Sequence, residues 1–380
     1  MDLFTLAAAF VVALSLLGAD TVIHSGSVAV EVVAAPQITR MTTPSIDLPT
    51  LEEEFEEQLN RIAGTHSVIE PQEIRSTREQ GIGMALAQAA KVENLAYALQ
   101  AELGYRPDKL RLALFIDGGE LRGLISGNSH LVGSFREVMV PAKEESLVAF
   151  VRRCALWGGS QIAPYSTALF LMQTHAADRD FRDAVALAAH AKGRLPATPL
   201  SMDRSLFDNL LGMIALFKND PKAAKAAFEA AVAADPTSPV PVLNAAFADL
   251  ELDDFRQAAQ RMQRLIEAAP PPNKVLLGTA YATWAAALLG SHDAEGADRL
   301  LARSIEINPD SSSALDLWAE AKDVKGDHAA AADLRRRALE SATTFENYAE
   351  VAALYFHLSW QDNQPVTRSK FSNPEVVTFH

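Results

Sequence analysis

Apolar positions along this chain follow two rhythms. In "KLRLALFID" they alternate, with Leu110, Leu112, Leu114 and Ile116 on one side, the period of two that marks a half-buried strand. "GG" at 118–119 predicts a hairpin turn, "ELRGLISG" the return strand, and "SFREVMVPA" a third strand. Helical spacing surrounds them. Leu51, Phe55, Leu59 and Ile62 recur at i, i+4, i+8 and i+11, behind Thr50 as N-cap and Glu52, Glu53 and Glu54 in the first turn. A second helix is predicted over 84–102, ended by Gly104, and a third over "KEESLVAFVRRCALWGG". Residues 50–158 therefore predict a small α+β domain: two helices, a short antiparallel sheet and one helix. Upstream, "SVAVEVV" has strand composition, but residues 25–49 as a whole read as a proline- and threonine-containing linker.

From Tyr165 the strand signals cease and helix follows helix. Prolines set a register: Pro236 and Pro270 are 34 residues apart, while Pro196 to Pro236 and Pro270 to Pro309 are 40 and 39, that is, 34 plus insertions of six and five. Five units follow, 165–198, 205–238, 239–272, 278–311 and 312–345. Their eighth positions are Met172, Gly212, Ala246, Ala285 and Ala319, and their twentieth are Ala184, Ala224, Ala258, Ala297 and Ala331. Small residues there let two antiparallel helices approach closely. Larger side chains fill the seam, with Leu211, Trp284 and Trp318 at position seven and Phe228, Met262 and Leu301 at position twenty-four. Each inter-helix turn holds an aspartate suited to cap the second helix: Asp180, Asp220, Asp254, Asp293 and Asp327.

This period and placement resemble the tetratricopeptide repeat. The resemblance covers about 165–345, with departures at Met172, Ala245 and Arg335. It implies a mostly α fold, an α-solenoid of about five helix pairs. A capping helix at 346–360 and a disordered tail at 361–380 are expected to follow. In the family, the concave groove is lined by positions two, five, nine and twelve of each first helix. Carried onto this chain, those positions are Leu206, Asn209, Met213 and Leu216; Val240, Leu243, Phe247 and Leu250; Thr279, Ala282, Ala286 and Leu289; and Ser313, Asp316, Glu320 and Asp323. The centre of such a groove is apolar and its C-terminal end acidic. That composition fits an apolar helix or extended segment with basic residues at one end, and disfavours a clamp for a C-terminal carboxylate. The same apolar residues are also suited to packing on the chain's own α+β domain or tail.

The first 24 residues alter the setting. Leu3 to Ala19 is an uncharged apolar run of 17 residues, at the short end for a membrane span. Signal peptide, buried core helix and uncleaved transmembrane anchor compete. The anchor is preferred, because no basic n-region precedes the run and "LLGAD" makes a poor cleavage site. An anchor, a small α+β domain and tandem repeats together resemble bacterial membrane-anchored tetratricopeptide proteins. The flanking charges leave the orientation open, with the periplasmic side preferred over the cytoplasmic.

Composition narrows the chemistry. With 34 Lys+Arg against 48 Asp+Glu, the net charge is −14, which disfavours nucleic acid as a partner. Cys154 is the single cysteine, so no intramolecular disulfide and no cysteine zinc cluster can form. The sequence holds no His-Glu-x-x-His, no G-x-S-x-G, no P-loop and no complete dinucleotide fingerprint. No cofactor, metal or covalent chemistry is expected. The expected function is a membrane-anchored scaffold that binds a protein partner through the repeat groove. The alternatives are a subunit of a cell-envelope assembly oligomerising through the α+β domain, and an enzyme with its site in that domain; the oligomeric state stays open.

Overall fold

The computed structural model describes residues 28–36, 38, 47–64, 74–76, 108–129, 133–175, 178–195, 201–268, 270–271 and 273–342. The expected anchor (1–24), the helix at 84–102, the capping helix (346–360) and the tail (361–380) lie outside them. Among the described residues, no helix is long and apolar enough to cross a membrane. They form two compact units, the first reaching Phe170 and the second continuing from Leu171.

The first unit holds β1 (Val28–Ala34), α1 (Leu48–Ala63), β2 (Ile74–Ser76), β3 (Asp108–Asp117), β4 (Glu120–Ser129), β5 (Gly133–Met139) and α2 (Leu147–Ile162). Its sheet runs β2-β1-β3-β4-β5. The hairpin forms as expected, with Asp117 opposite Glu120 across Gly118 and Gly119. Their φ values of 60° and 87° lie in the left-handed region that glycine enters freely. The sheet is not purely antiparallel, however. β1 is parallel to both β2 and β3, in register from Val28↔Asp108 to Ala34↔Leu114. The stretch expected as linker thus supplies an inner strand, because Val28, Val30 and Val32 alternate into the core.

That core joins one face of the sheet to two helices. Val28, Val30, Val32, Leu110, Leu112, Leu114 and Ile125 meet Leu51, Phe55, Leu59 and Ile62 of α1 and Phe150, Val151 and Cys154 of α2. α1 starts earlier than expected: Asp47, not Thr50, is its N-cap, accepting from the Thr50 N–H at 2.9 Å. Proline in its first turn is pre-set for a helix start. α2 continues past "GG" at 158–159 to Ile162, and glycine is needed at 158 because a Cβ there would come within 2.7 Å of Leu110. Burial pushes the Cys154 thiol up to about 12, so it is a packing residue without thiolate chemistry.

The helices continue with α3 (Pro164–Thr174), α4 (Arg182–Arg194), α5 (Ser201–Phe217), α6 (Pro221–Ala234), α7 (Pro239–Glu251), α8 (Phe255–Ala268), α9 (Lys274–Gly290), α10 (Ala294–Ile307), α11 (Ser312–Val324) and α12 (His328–Ala342). α5/α6, α7/α8, α9/α10 and α11/α12 are packed pairs. α3, by contrast, is divided between the two units at Phe170/Leu171, in the same stretch where Met172 replaces the small residue. The two insertions extend helices. α5 and α9 begin four residues before the unit starts at Ser205 and Gly278, so each gains a turn, and Asn273 caps the second.

The close-contact positions behave as their size requires. Ala224, Ala258, Ala297 and Ala331 are wholly buried, as are Ala246, Ala285 and Ala319 opposite them. At Gly212 a Cβ would sit 2.5 Å from the Phe228 ring.

Each of these four pairs turns on one residue of positive φ followed by an aspartate. Asn219, Asp253, His292 and Gly326 have φ of 60°, 59°, 66° and 81°. The next N–H, of Asp220, Asp254, Asp293 or Asp327, reaches back five residues to Ala215, Asp249, Leu288 or Lys322, at 2.8–2.9 Å. This is a Schellman closure. The same aspartate then caps the following helix, accepting from Ala223, Gln257, Gly296 and Ala330 N–H groups. Asp180 departs from this role. α4 has Phe181 as N-cap without a side-chain bond, and Asp180 pairs with Arg182 at 2.6 Å.

Adjacent repeats are joined through positions twenty-one and eleven. Lys225 meets buried Asp249 at 2.6 Å, and Arg261 holds the other carboxylate oxygen at 3.0 Å. Two repeats on, the polarity is reversed. Asp298 receives Lys322 at 2.7 Å, Lys325 at 2.6 Å and the Trp318 indole N–H at 2.6 Å. Between these junctions the same positions carry Ala259 and Leu288. Reversed polarity at equivalent positions disfavours pairing of the wrong repeats. Desolvation raises the Asp298 pKa, but the bonds from Lys322, Lys325 and Trp318 outweigh it and hold the carboxyl well below its ordinary 3.8. Such a group stabilises the fold fully above its unfolded value, and the contribution is lost as pH falls through the folded one. Asp298→Asn is expected to cost about 2–4 kcal/mol at pH 7 by urea denaturation. The gap to wild type should stay constant above about pH 5 and narrow below 3.8; a gap that is absent, or independent of pH, would show the pair to be inert.

Candidate functional site

The first helices of successive repeats touch one another, α5 with α7, α7 with α9 and α9 with α11, so the expected groove positions share one side of the array. Their accessibility divides them. Asn209, Met213, Leu216, Val240, Leu243 and Leu250 are buried, each with at most 8% of its surface exposed. Leu206, Phe247, Leu289 and Asp316 are half-buried and Glu320 is exposed. Six of the eleven residues expected to meet a partner are therefore interior.

The causes are local. Val240, Leu243 and Leu250 belong to one core cluster with Met262 and Leu276. Asn209 is committed internally: its carbonyl accepts from the Asn244 amide at 2.8 Å, and its own amide meets the Met213 sulfur at 3.6 Å. This polar pair joins α5 to α7 inside the stack, where an unmatched amide would be costly. Asn244 escaped the expectation because it sits one position beyond the family's groove site, at the sixth rather than the fifth. A second asparagine at nearly the same place in the next unit was its sequence signal. The charge exchange at positions eleven and twenty-one is likewise visible only when both are compared across the junctions.

The C-terminal end behaves differently. Asp316 and Glu320 lie one turn apart on α11, and neither has a hydrogen bond or ion pair among the described residues. Asp323, three residues on, is already paired, with Arg335 at 2.6 Å and His328 at 2.9 Å. Desolvation raises the Asp316 pKa, opposed by Arg335; desolvation and then the nearby Asp316 raise that of Glu320, again opposed by Arg335. Two carboxylates with unused acceptor capacity thus face the end of the array. Arg335 occupies a position that Phe228, Met262 and Leu301 fill with apolar bulk in earlier repeats, so the final pair closes with an ion pair instead. Among the described residues, no group of three or more His, Cys, Asp or Glu side chains is arranged to hold a metal.

Comparison with known proteins agrees with the helix-pair geometry. Residues 216–275 match the family model described as tetratricopeptide repeat, from the end of α5 to the start of α9. No curated protein matches the chain. Among solved structures, MamA is 21% identical over 44% of this chain and 92% of its own, with a TM-score of 0.35. PilF of Pseudomonas aeruginosa is 13% identical over 52% and 82%, with a TM-score of 0.40. Yeast Tom70 is 18% identical over 59% and 46%, with a TM-score of 0.41. The repeated close contacts, turns and matched stretch define a mostly helical solenoid preceded by a small sheet-containing region. Residues 216–275 match the tetratricopeptide repeat, and the packed helix pairs on either side share the same close contacts and turns; such solenoids present extended surfaces for protein partners.

A carboxyl whose folded pKa is raised costs stability above its unfolded value, and the cost grows as pH rises through the folded one. Asp316→Asn is therefore expected to raise the melting temperature at pH 7, by about 2 °C, with the gain vanishing as pH falls below 3.8. Scanning calorimetry at two pH values checks this; a variant less stable at pH 7 would contradict it.

Proposed function

We propose that the repeat array is a scaffold that captures a protein segment along the side formed by its first helices. The segment combines apolar side chains, placed against Leu206, Phe247 and Leu289, with a lysine or arginine placed between Asp316 and Glu320. The observation that carries this reading is a pair of carboxylates with no hydrogen bond or ion pair among the described residues, beside partly accessible apolar positions. A partner's cation would add to the counter-charge of Arg335, which among the described residues forms no ion pair with either carboxylate, and would offset the desolvation cost there. The buried centre of the expected groove is excluded from the contact, so the interface is narrower than the family pattern implies. The apolar run from Leu3 to Ala19 supports a further part of the proposal, that the array is held at a membrane surface by an integral anchor.

The test uses the full chain in its native membranes. Under the proposal, the chain stays in the pellet through a carbonate wash, whereas release into the supernatant removes the anchor. After detergent extraction, wild type retains its partner on an affinity column. Asp316→Lys with Glu320→Lys lowers recovery about tenfold or more, and Phe247→Glu does the same, with the helical circular dichroism of both unchanged. Recovery equal to wild type in both variants would remove the site.

A second reading has one observation behind it. Among the described residues, β5 lies at the edge of the sheet and pairs with β4 alone; it continues into exposed Val140, with Val138 also exposed. An open edge of this kind can pair with another strand, which would make the sheet unit an assembly surface. Sedimentation of the carbonate-washed, detergent-extracted chain as a monomer at all concentrations would exclude self-assembly through this edge.

A further inference from the structure

Among the described residues, large hydrophobic side chains stand exposed at Val138, Val140 and Val324. Two of these three lie on the edge strand of the sheet. Phe135 and Met139 of β5 pack against the core cluster, so the alternate positions Arg136, Val138 and Val140 point to the other face. Along that face Val33, Ala113, Leu124 and Val138 stand opposite one another in successive strands. The first three members of this apolar row are half-buried, and the last, Val138, is 43% exposed where the sheet stops.

Symmetry limits how a second copy can continue the row. When two identical edges pair antiparallel about a two-fold axis normal to the sheet, each face continues into the same face of the other copy. One residue then stands opposite itself, and its neighbours pair reciprocally around it. Centred on Arg136 or Glu137, such a pairing sets like charges directly opposite, which is unfavourable. Centred on Phe135, it carries both valines beyond Gly133, where β5 begins. Centred on Met139, it brings Pro141, which has no N–H, into the ladder opposite Glu137. Centred on Val138, it avoids all three faults. Val138 then meets Val138 of the second copy, Arg136 meets Val140, and Glu137 meets Met139.

We propose that two copies of this chain join their sheets through β5, antiparallel about a two-fold axis at Val138. This rests on self-assembly through the β5 edge and fixes its register. The apolar row runs across the axis from Val33 of one copy to Val33 of the other. The aliphatic stem of each Arg136 covers a Val140 that is otherwise 51% exposed, while its guanidinium stays in water. The charges at Arg136 and Glu137 do not block the edge. They select the register, because moving the centre one or two residues toward them opposes like charges.

Sedimentation of the detergent-extracted full chain over a dilution series tests this, with charges placed at the two exposed valines and circular dichroism checking each fold. Wild type is expected to be a dimer that dissociates on dilution. Val138→Lys and Val138→Asp each weaken it about tenfold or more, because each new charge faces its own copy. An equimolar mixture of the two restores the dimer. Val140→Asp, set opposite Arg136 of the other copy, keeps the dimer, whereas Val140→Lys weakens it about tenfold or more. A wild type that is monomeric at every concentration overturns the register and the edge pairing together. A dimer untouched by either Val138 variant lies elsewhere on the chain and also overturns both. Loss in both Val138 variants without recovery in the mixture, or equal loss in Val140→Asp and Val140→Lys, overturns the register alone. Where a Val138 variant fails to fold, the contrast between the two Val140 variants decides.

Discussion

The repeat array depends on how closely two helices within a pair can approach. At the eighth and twentieth positions the side chain is Gly or Ala in all four packed pairs, and the alanines are wholly buried. The large residue at position twenty-four then closes over the contact, most tightly where the Phe228 ring lies against Gly212. Dispersion between atoms falls off steeply with a small gap, so a repeat held apart by one methyl group would lose contacts along its whole seam. The angle between helices follows from this approach, and the side that the first helices present to solvent follows from the angle.

Two further constraints make the pairs into an array. The turn residue of positive φ lets one aspartate close one helix by its N–H and open the next by its carboxylate, so the direction reversal takes few residues. The junction positions then decide which repeat follows which, through Lys225–Asp249 in one place and Asp298–Lys322 in another. Both ion pairs are satisfied internally. Among the described residues Asp316 and Glu320 have no such bond, and that contrast underlies the proposal that they are open to a partner.

How much of this was legible in the sequence depended on how local each signal is. A 34-residue period, a small residue at a fixed place and an aspartate before each second helix are written within a few dozen residues, and each marks the structure where it stands. The left-handed turn site was obscured because four different residue types, Asn219, Asp253, His292 and Gly326, fill it. β1 was obscured by its surroundings: a short valine run followed by prolines at 36, 44 and 49 resembles the start of a linker, and its partner β3 lies about eighty residues away. β2, three residues long, is too short to show a period at all. The burial of six groove positions was hidden for a different reason. The family's groove register was carried onto residues such as Leu243 and Leu250 that are apolar enough to join the core, and burial is decided by neighbours that one helix's sequence does not contain. At Asp316 and Glu320 the same register picked out residues that remain accessible.

The thermal and urea stability of Gly212→Ala tests the central claim most directly, because two effects oppose each other there. Alanine is the better helix former by about 1 kcal/mol, so a helix with room at this position would gain stability. A Cβ 2.5 Å from the Phe228 ring instead forces the pair apart. The account predicts a net loss of about 1–3 kcal/mol, largely restored when Phe228→Leu is added to relieve the crowding. A variant as stable as wild type or more so would contradict the claim that close approach governs the array.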